Sequence, residues 1–359
     1  MRGFDRILPT ALLATALYWT ESQATRHLHS HSRRADSTEC GLYLVSGQST
    51  SPFQHYRFWD FRSLSNYTTQ EPPQITAGED HGDEDVTSAY FSSSPFRDAW
   101  QIKQGIKNPD SRVPMVYSAR NVYLSPDEST GGGDTHLTFR TTRLEEFQSI
   151  AEMRSTDDVL HCSIRIRLKV LADENNEVHQ GAVVGYFTYE SDTQESDIEI
   201  LTRRPDTDVQ LTNQPASSTA LAARKNVTLP NGKTWTEWTD YRLDWFSDRT
   251  VWYIDGNQSF QSNNSVPYQP SAVILNLWSN GGTFSGTMRV GAEVRIAVQW
   301  IEMVYNTSNS QSNGSIATLC NVDGVATKGQ PEEAGAVRIA ASMALAIVTC
   351  TLAIHLSPI

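Results

Sequence analysis

Glu195-Ser196-Asp197-Ile198-Glu199 alternates acidic side chains with a small and an apolar one. Residues two apart on a β-strand share a face, so Glu195, Asp197 and Glu199 project to one side of such a strand and Ser196 and Ile198 to the other. Apolar and aromatic residues flank the stretch, Gly185-Tyr186-Phe187-Thr188-Tyr189 before it and Ile200-Leu201 after it. Like charges in a row repel and raise one another's pKa, which disfavours folding and suits chemistry. Glycoside hydrolysis needs two carboxyl groups, one to attack the anomeric carbon and one to protonate the leaving oxygen and then deprotonate water. The Cα atoms of Glu195 and Glu199 lie roughly 13 Å apart at about 3.3 Å per residue. Two glutamates leaning toward a sugar between them can approach the ~5–5.5 Å of a retaining enzyme. Asp197 would sit between them and help to raise the acid's pKa. Alternation alone leaves open a solvated acidic face and an oxygen-ligand site for a hard cation such as calcium.

The 359-residue chain carries a formal net charge of −12 with only 19% charged residues. That balance argues against nucleic acid as a partner, since phosphate binding calls for a basic patch. Between Gly41 and Asn306 there is no internal repeat and no long helical period. Short apolar or alternating runs recur instead, among them Val116–Tyr123, Leu137–Arg140, Cys162–Val170, Ala182–Tyr189, Tyr241–Trp245, Val251–Ile254, Ala272–Leu277 and Val298–Tyr305. Gly131-Gly132-Gly133-Asp134 lacks the helix and Lys-Ser or Lys-Thr of a phosphate cradle and reads as a loop. Asp255-Gly256 is a hairpin turn signal. This pattern predicts an all-β fold, a jelly-roll sandwich of two antiparallel sheets.

The ends read differently. Residues 1–24 are expected to be a signal peptide, with an apolar run from Ile7 to Trp19 and small residues at Ser22 and Ala24. Residues 25–40 form a leader with His27, His29, His31 and the dibasic Arg33-Arg34. Sequons at Asn66, Asn226, Asn257, Asn263, Asn306 and Asn313 point to a secreted glycoprotein. A Ser/Asn-rich linker is expected over 307–333, and a hydrophobic tail over 334–359 whose run from Ile339 to Leu356 has no basic flank after it. The tail suits a GPI-attachment signal, with Gly324 a candidate attachment point, or alternatively a membrane helix. Cys350 lies in that tail. Of the remaining cysteines, Cys40 and Cys320 flank the body and suit a bridge, leaving Cys162 as a buried thiol, although sequence does not settle the pairing.

Val183 to Leu201, VVGYFTYESDTQESDIEIL, resembles the core of glycoside hydrolase family 16 with its Glu-x-Asp-x-Glu strand. Later segments agree in order: Val209–Asn213, Tyr241–Trp245, the Val251–Gly256 hairpin, Leu275-Asn276-Leu277-Trp278 and Trp300–Tyr305. The resemblance implies a concanavalin A-like sandwich with a glycan cleft. It implies Glu195 as nucleophile, Asp197 as assisting carboxylate and Glu199 as acid/base. Ser196 stands where the family commonly has an apolar residue and is expected to change packing only. With no extra residue between Asp197 and Glu199, the strand is similar to the mixed-linkage glucanase and wall-transglycosylase branches.

Sugar rings stack their C–H faces on aromatic side chains. Trp278 is the expected stacking platform, Tyr186 is expected to face the cleft, and Asn213 to bond a sugar hydroxyl, while Trp245 and Trp252 are assigned to the core. The expected protein is a secreted or surface-anchored monomeric glycosidase that hydrolyses β-glucan, without cofactor or metal. Glucan transglycosylation, or a lectin on the same fold, are the alternatives.

Overall fold

The computed structural model of the chain describes residues 40–47, 52–76, 85–131, 133–216, 221–310 and 317–334. Two antiparallel sheets face each other, as expected of a concanavalin A-like sandwich. Across the first sheet the strands run Arg224–Thr228, Asp208–Gln214, Gln194–Leu201, Val183–Ser191, Ser271–Trp278, Gln148–Val159 and Trp100–Ile102. Across the second they run Asn257–Ser262, Thr250–Ile254, Thr239–Trp245, Cys162–Leu171 and Glu293–Tyr305. The long strand Glu293–Tyr305 then takes two partners end to end: Thr135–Arg143 along its first half and His55–Asp60 along its second.

Strict alternation makes the core. Ile198 and Ile200 of the first sheet, and Ile164, Ile166, Leu168, Leu243 and Trp245 of the second, meet in one buried cluster. Trp245 and Trp252 are fully buried within it, as assigned. The Asp255-Gly256 turn has φ of 47° and 77°, the left-handed pair that a two-residue hairpin requires.

The segment assigned to a linker departs from that expectation. Leu319–Asn321 lies parallel to Leu42–Leu44 and antiparallel to Glu332–Glu333 in a small third sheet. Cys40 and Cys320 form a disulfide with Cα atoms 5.7 Å apart, and Cys162 is a buried free thiol. Asp323 accepts hydrogen bonds from Arg165 and Arg242, while Lys328 pairs with Glu302, so residues 317–334 dock onto the second sheet's outer face. A Cβ at Gly329 would overlap the Phe58 ring, so this stretch is packed rather than spacer-like. Polar composition suggested a linker, but paired charges and a disulfide dock the segment without an apolar face. Cleavage at Gly324 would remove Lys328 and Glu332–Glu333 from this docked segment, which argues against that residue as an attachment point. The signal peptide, the leader before Cys40, Asn313 and the tail after Ala334 lie outside the described residues.

Candidate active site

The strand Gln194–Leu201 keeps one register from Glu195 to Glu199 against both neighbours. With no bulge inside the trio, all three carboxylates face outward from the first sheet. Directly across on Val183–Ser191 lie Tyr189, Phe187 and Gly185. The rows continue: Gly185 pairs with Asn276 and Asn276 with Glu152, while Phe187 pairs with Ile274 and Ile274 with Arg154. The inner side of the trio strand is anchored. Ser196 is fully buried and donates its hydroxyl to Oδ1 of Asn213 at 2.6 Å. From the second sheet, Trp252 donates its indole N–H to the main-chain oxygen of Asp197 at 3.0 Å. Oε1 of Gln194 accepts from the backbone N–H groups of Tyr268 and Gln269, fixing the strand's start.

The outward rows line a cleft of about 340 Å³ that holds all three carboxylates with Lys107, Tyr117, Glu152, Arg154, Gly185, Phe187, Tyr189, Ile274, Asn276 and Trp278. Tyr117 and Lys107 both donate to Oε2 of Glu152, at 3.0 and 3.3 Å. Trp278 is half-buried, its ring stacked on Phe284 with centroids 6.4 Å apart. Gly185 is the floor between Glu199 and Asn276. A Cβ there would lie 2.7 Å from Oδ1 of Asn276 and 3.1 Å from the Phe187 ring. Oδ1 of Asn276 and Oδ2 of Asp197 are buried and have no hydrogen-bond partner among the described residues, which leaves two acceptors for an incoming hydroxyl or proton.

Electrostatics separate the two glutamates. Burial pushes Glu195 up to about 6, opposed by its hydrogen bond with Asp197 and by the Lys107 ammonium. Burial pushes Glu199 further, to about 7, opposed by the amide of Gln210 and raised by the charge of Glu195. Asp197, 2% exposed, is held well above the usual carboxylate range by burial and then by the charges of Glu195 and Glu199. Near neutrality this favours an ionised Glu195 beside a proton held by Asp197 and one held by Glu199.

Two expected site residues lie elsewhere. Tyr186 pairs with Ile198, is 1% exposed and belongs to the core between the sheets. It is one residue out of phase with the cleft, and Phe187 and Tyr189 are the outward aromatics of that strand. Asn213 pairs with Ser196, is fully buried, and uses its amide to donate to the main-chain oxygen of Asn264 at 2.9 Å. It supports the strand from behind. Trp278 lies in the cleft. Lys107, Glu152 and Arg154 escaped the sequence reading because they enter from strands remote in the chain. Asn276 could have been found, since it sits two residues before Trp278 and therefore on the same face.

Among the described residues no group of three or more His, Cys, Asp or Glu is placed to hold a metal ion. No curated protein matches the chain. The chain is similar to a Bacillus licheniformis beta-glucanase at 20% identity, over 58% of this chain and 93% of that one, with a TM-score of 0.48. A Bacteroides ovatus family 16 protein from a mixed-linkage glucan locus, solved with a G4G4G3G product, is 16% identical over 58% and 95%, with a TM-score of 0.45. The Thermotoga maritima laminarinase catalytic domain is 18% identical over 59% and 93%, also at a TM-score of 0.45. The model for glycosyl hydrolases family 16 matches residues 115–302, more than half of the chain and every strand of the first sheet except the short Trp100–Ile102, and the chain belongs to that family.

Proposed function

We propose that this chain is a retaining endo-β-glucanase of the 1,3(4) type. The observation that carries this reading is the unbulged strand that sets Glu195, Asp197 and Glu199 on one face of a cleft, with Glu199 the more reluctant of the two glutamates to ionise. Glu195, ionised, attacks the anomeric carbon while Glu199 gives its proton to the departing glycosidic oxygen. A covalent glycosyl-enzyme results. Glu199, now anionic, takes a proton from water, whose oxygen attacks the same carbon and releases Glu195. Asp197 hydrogen-bonds Glu195 in the free protein and can give up that bond as Glu195 becomes an ester. Trp278 offers a stacking surface, and Glu152, Arg154 and Asn276 offer polar partners for sugar hydroxyls.

Secretion fits the Cys40–Cys320 disulfide, which persists in an oxidising compartment. It also fits the exposed sequon asparagines Asn66, Asn226, Asn257 and Asn263. Surface attachment would then act through the tail beyond Glu333.

Incubating the secreted protein with a panel of β-glucans, with and without an added oligosaccharide acceptor, tests the reading. Soluble oligosaccharides whose new reducing ends first appear as the β-anomer are expected. Chain lengthening at the expense of hydrolysis when the acceptor is present would make the protein a transglycosylase. Glucan binding with no product from any substrate would make it a lectin.

A further inference from the structure

We infer that Asn226 carries an N-linked glycan that stands at the rim of the cleft and limits how far a polymeric chain extends past the carboxylates. Asn226 opens the sequon Asn226-Val227-Thr228 on the strand Arg224–Thr228. It pairs with Gln210, and Gln210 pairs with Glu199. Directly paired residues share a face of the sheet, so the side chain of Asn226 points to the same side as the acid/base. Its neighbours confirm that phase. Lys225 turns the other way and donates to the main-chain oxygen of Ser259, and Val227 packs against the core between the sheets.

Two strand spacings of about 4.8 Å place the Asn226 Cα roughly 10 Å from that of Glu199. Asn226 is exposed and no hydrogen bond occupies its side-chain amide among the described residues. An exposed, unengaged amide leaves room on the folded surface for a bulky glycan at this sequon. The other sequons differ. Asn306 is half-buried and its Oδ1 accepts from the backbone of Gln54 at 2.9 Å. Asn257 begins a strand of the second sheet, Asn263 directly follows that strand, and Asn66 lies in the turn Ser65–Tyr67, so none of them shares the row of Glu199.

The cleft extends from Glu199 through Asn276 toward Glu152, and Asn226 lies in the same row on the opposite side. A glycan there is a steric stop on that side only. The inference rests on the cleft being the polysaccharide site.

The test is glycopeptide mapping of the chain from a eukaryotic secretory host, with kinetics of the Asn226→Gln and Thr228→Ala variants. Occupancy at Asn226 is expected. Both variants should raise kcat/KM on polymeric β-glucan about three-fold or more, leave a short aryl oligosaccharide unchanged, and shift the product size distribution. A bare Asn226, or an occupied one whose removal leaves polymer turnover and products unchanged, overturns the inference. Inactivity of the parent on both substrates would defeat the hydrolase reading alone. Affinity electrophoresis in polymeric glucan then reads the same steric effect, with tighter retention of both variants expected and equal retention overturning it.

Discussion

Gln210 donates its side-chain amide to Oε2 of Glu199 across 2.8 Å. The bond favours the ionised carboxylate and pulls against the burial that raises it. Gln210→Met keeps the volume and removes the donor. Its alkaline limb in kcat/KM should therefore move to higher pH, with the acid limb nearly fixed. A limb that stays in place would mean that this hydrogen bond does not set the acid's pKa.

The parent profile should be a bell. Activity needs Glu195 ionised and Glu199 protonated, so kcat/KM falls as pH drops through about 6 and again as it rises through about 7. Because the two groups interact, the limbs belong to the pair. A plateau reaching pH 9 would contradict the assignment of Glu199 as acid.

Stability should run the same way. The folded pKa of Glu199, about 7, lies above its ordinary 4.5. Its contribution is therefore intact below the unfolded value and lost as pH rises through the folded one. Glu199→Gln, which is never charged, should match the parent near pH 4 and exceed it at pH 8 by about 3 kcal/mol. Thermal melts at both pH values check this, and a variant less stable than its parent at pH 8 would contradict it.

The acidic trio and its shared face were legible because alternation has period two and nothing interrupts the strand. Trp278 was legible through the resemblance carried by Leu275-Asn276-Leu277-Trp278, whereas Asn276, two residues earlier on the same face, went unread although the same alternation marks it. Tyr186 and Asn213 were misplaced by one residue of phase. Gly185-Tyr186-Phe187-Thr188-Tyr189 carries large side chains on both faces, so composition does not say which face is inside. Register decides it, and register is long-range: Tyr186 is inside because it pairs with Ile198. Glu152 and Lys107 reach the cleft through strand order, which a local pattern does not encode. The docked segment around Asp323 was hidden because its partners, Arg165 and Arg242, are far away in the chain.

Asp323 is held below the usual carboxylate range by Arg165 and Arg242, which face it from two strands of the second sheet. Asp323→Ala leaves two largely buried guanidinium groups short of a partner and should destabilise the fold by about 2–4 kcal/mol. The site lies on the other sheet, so kcat on soluble glucan should be unchanged below the melting transition. Denaturant melts and kinetics together check this, and a large loss of kcat without a loss of stability would contradict it.

Trp278→Ala removes the stacking surface in the cleft. Aromatic contacts are worth on the order of 1–2 kcal/mol, so kcat/KM on oligosaccharides should fall about ten-fold. Far-ultraviolet circular dichroism should be unchanged. A variant that fails to fold would make Trp278 a core residue.

The roles of Glu195 and Glu199 are tested most directly by chemical rescue on an activated aryl β-glucoside, whose leaving group needs no proton. Glu199→Ala should still form the glycosyl-enzyme and release it to azide as the β-glycosyl azide, with retained configuration. Glu195→Ala should be inactive alone and, with azide in place of the lost carboxylate, should give the α-glycosyl azide, with inverted configuration. The opposite stereochemistry would exchange the two roles. Full activity in both variants without azide would contradict catalysis by this strand altogether.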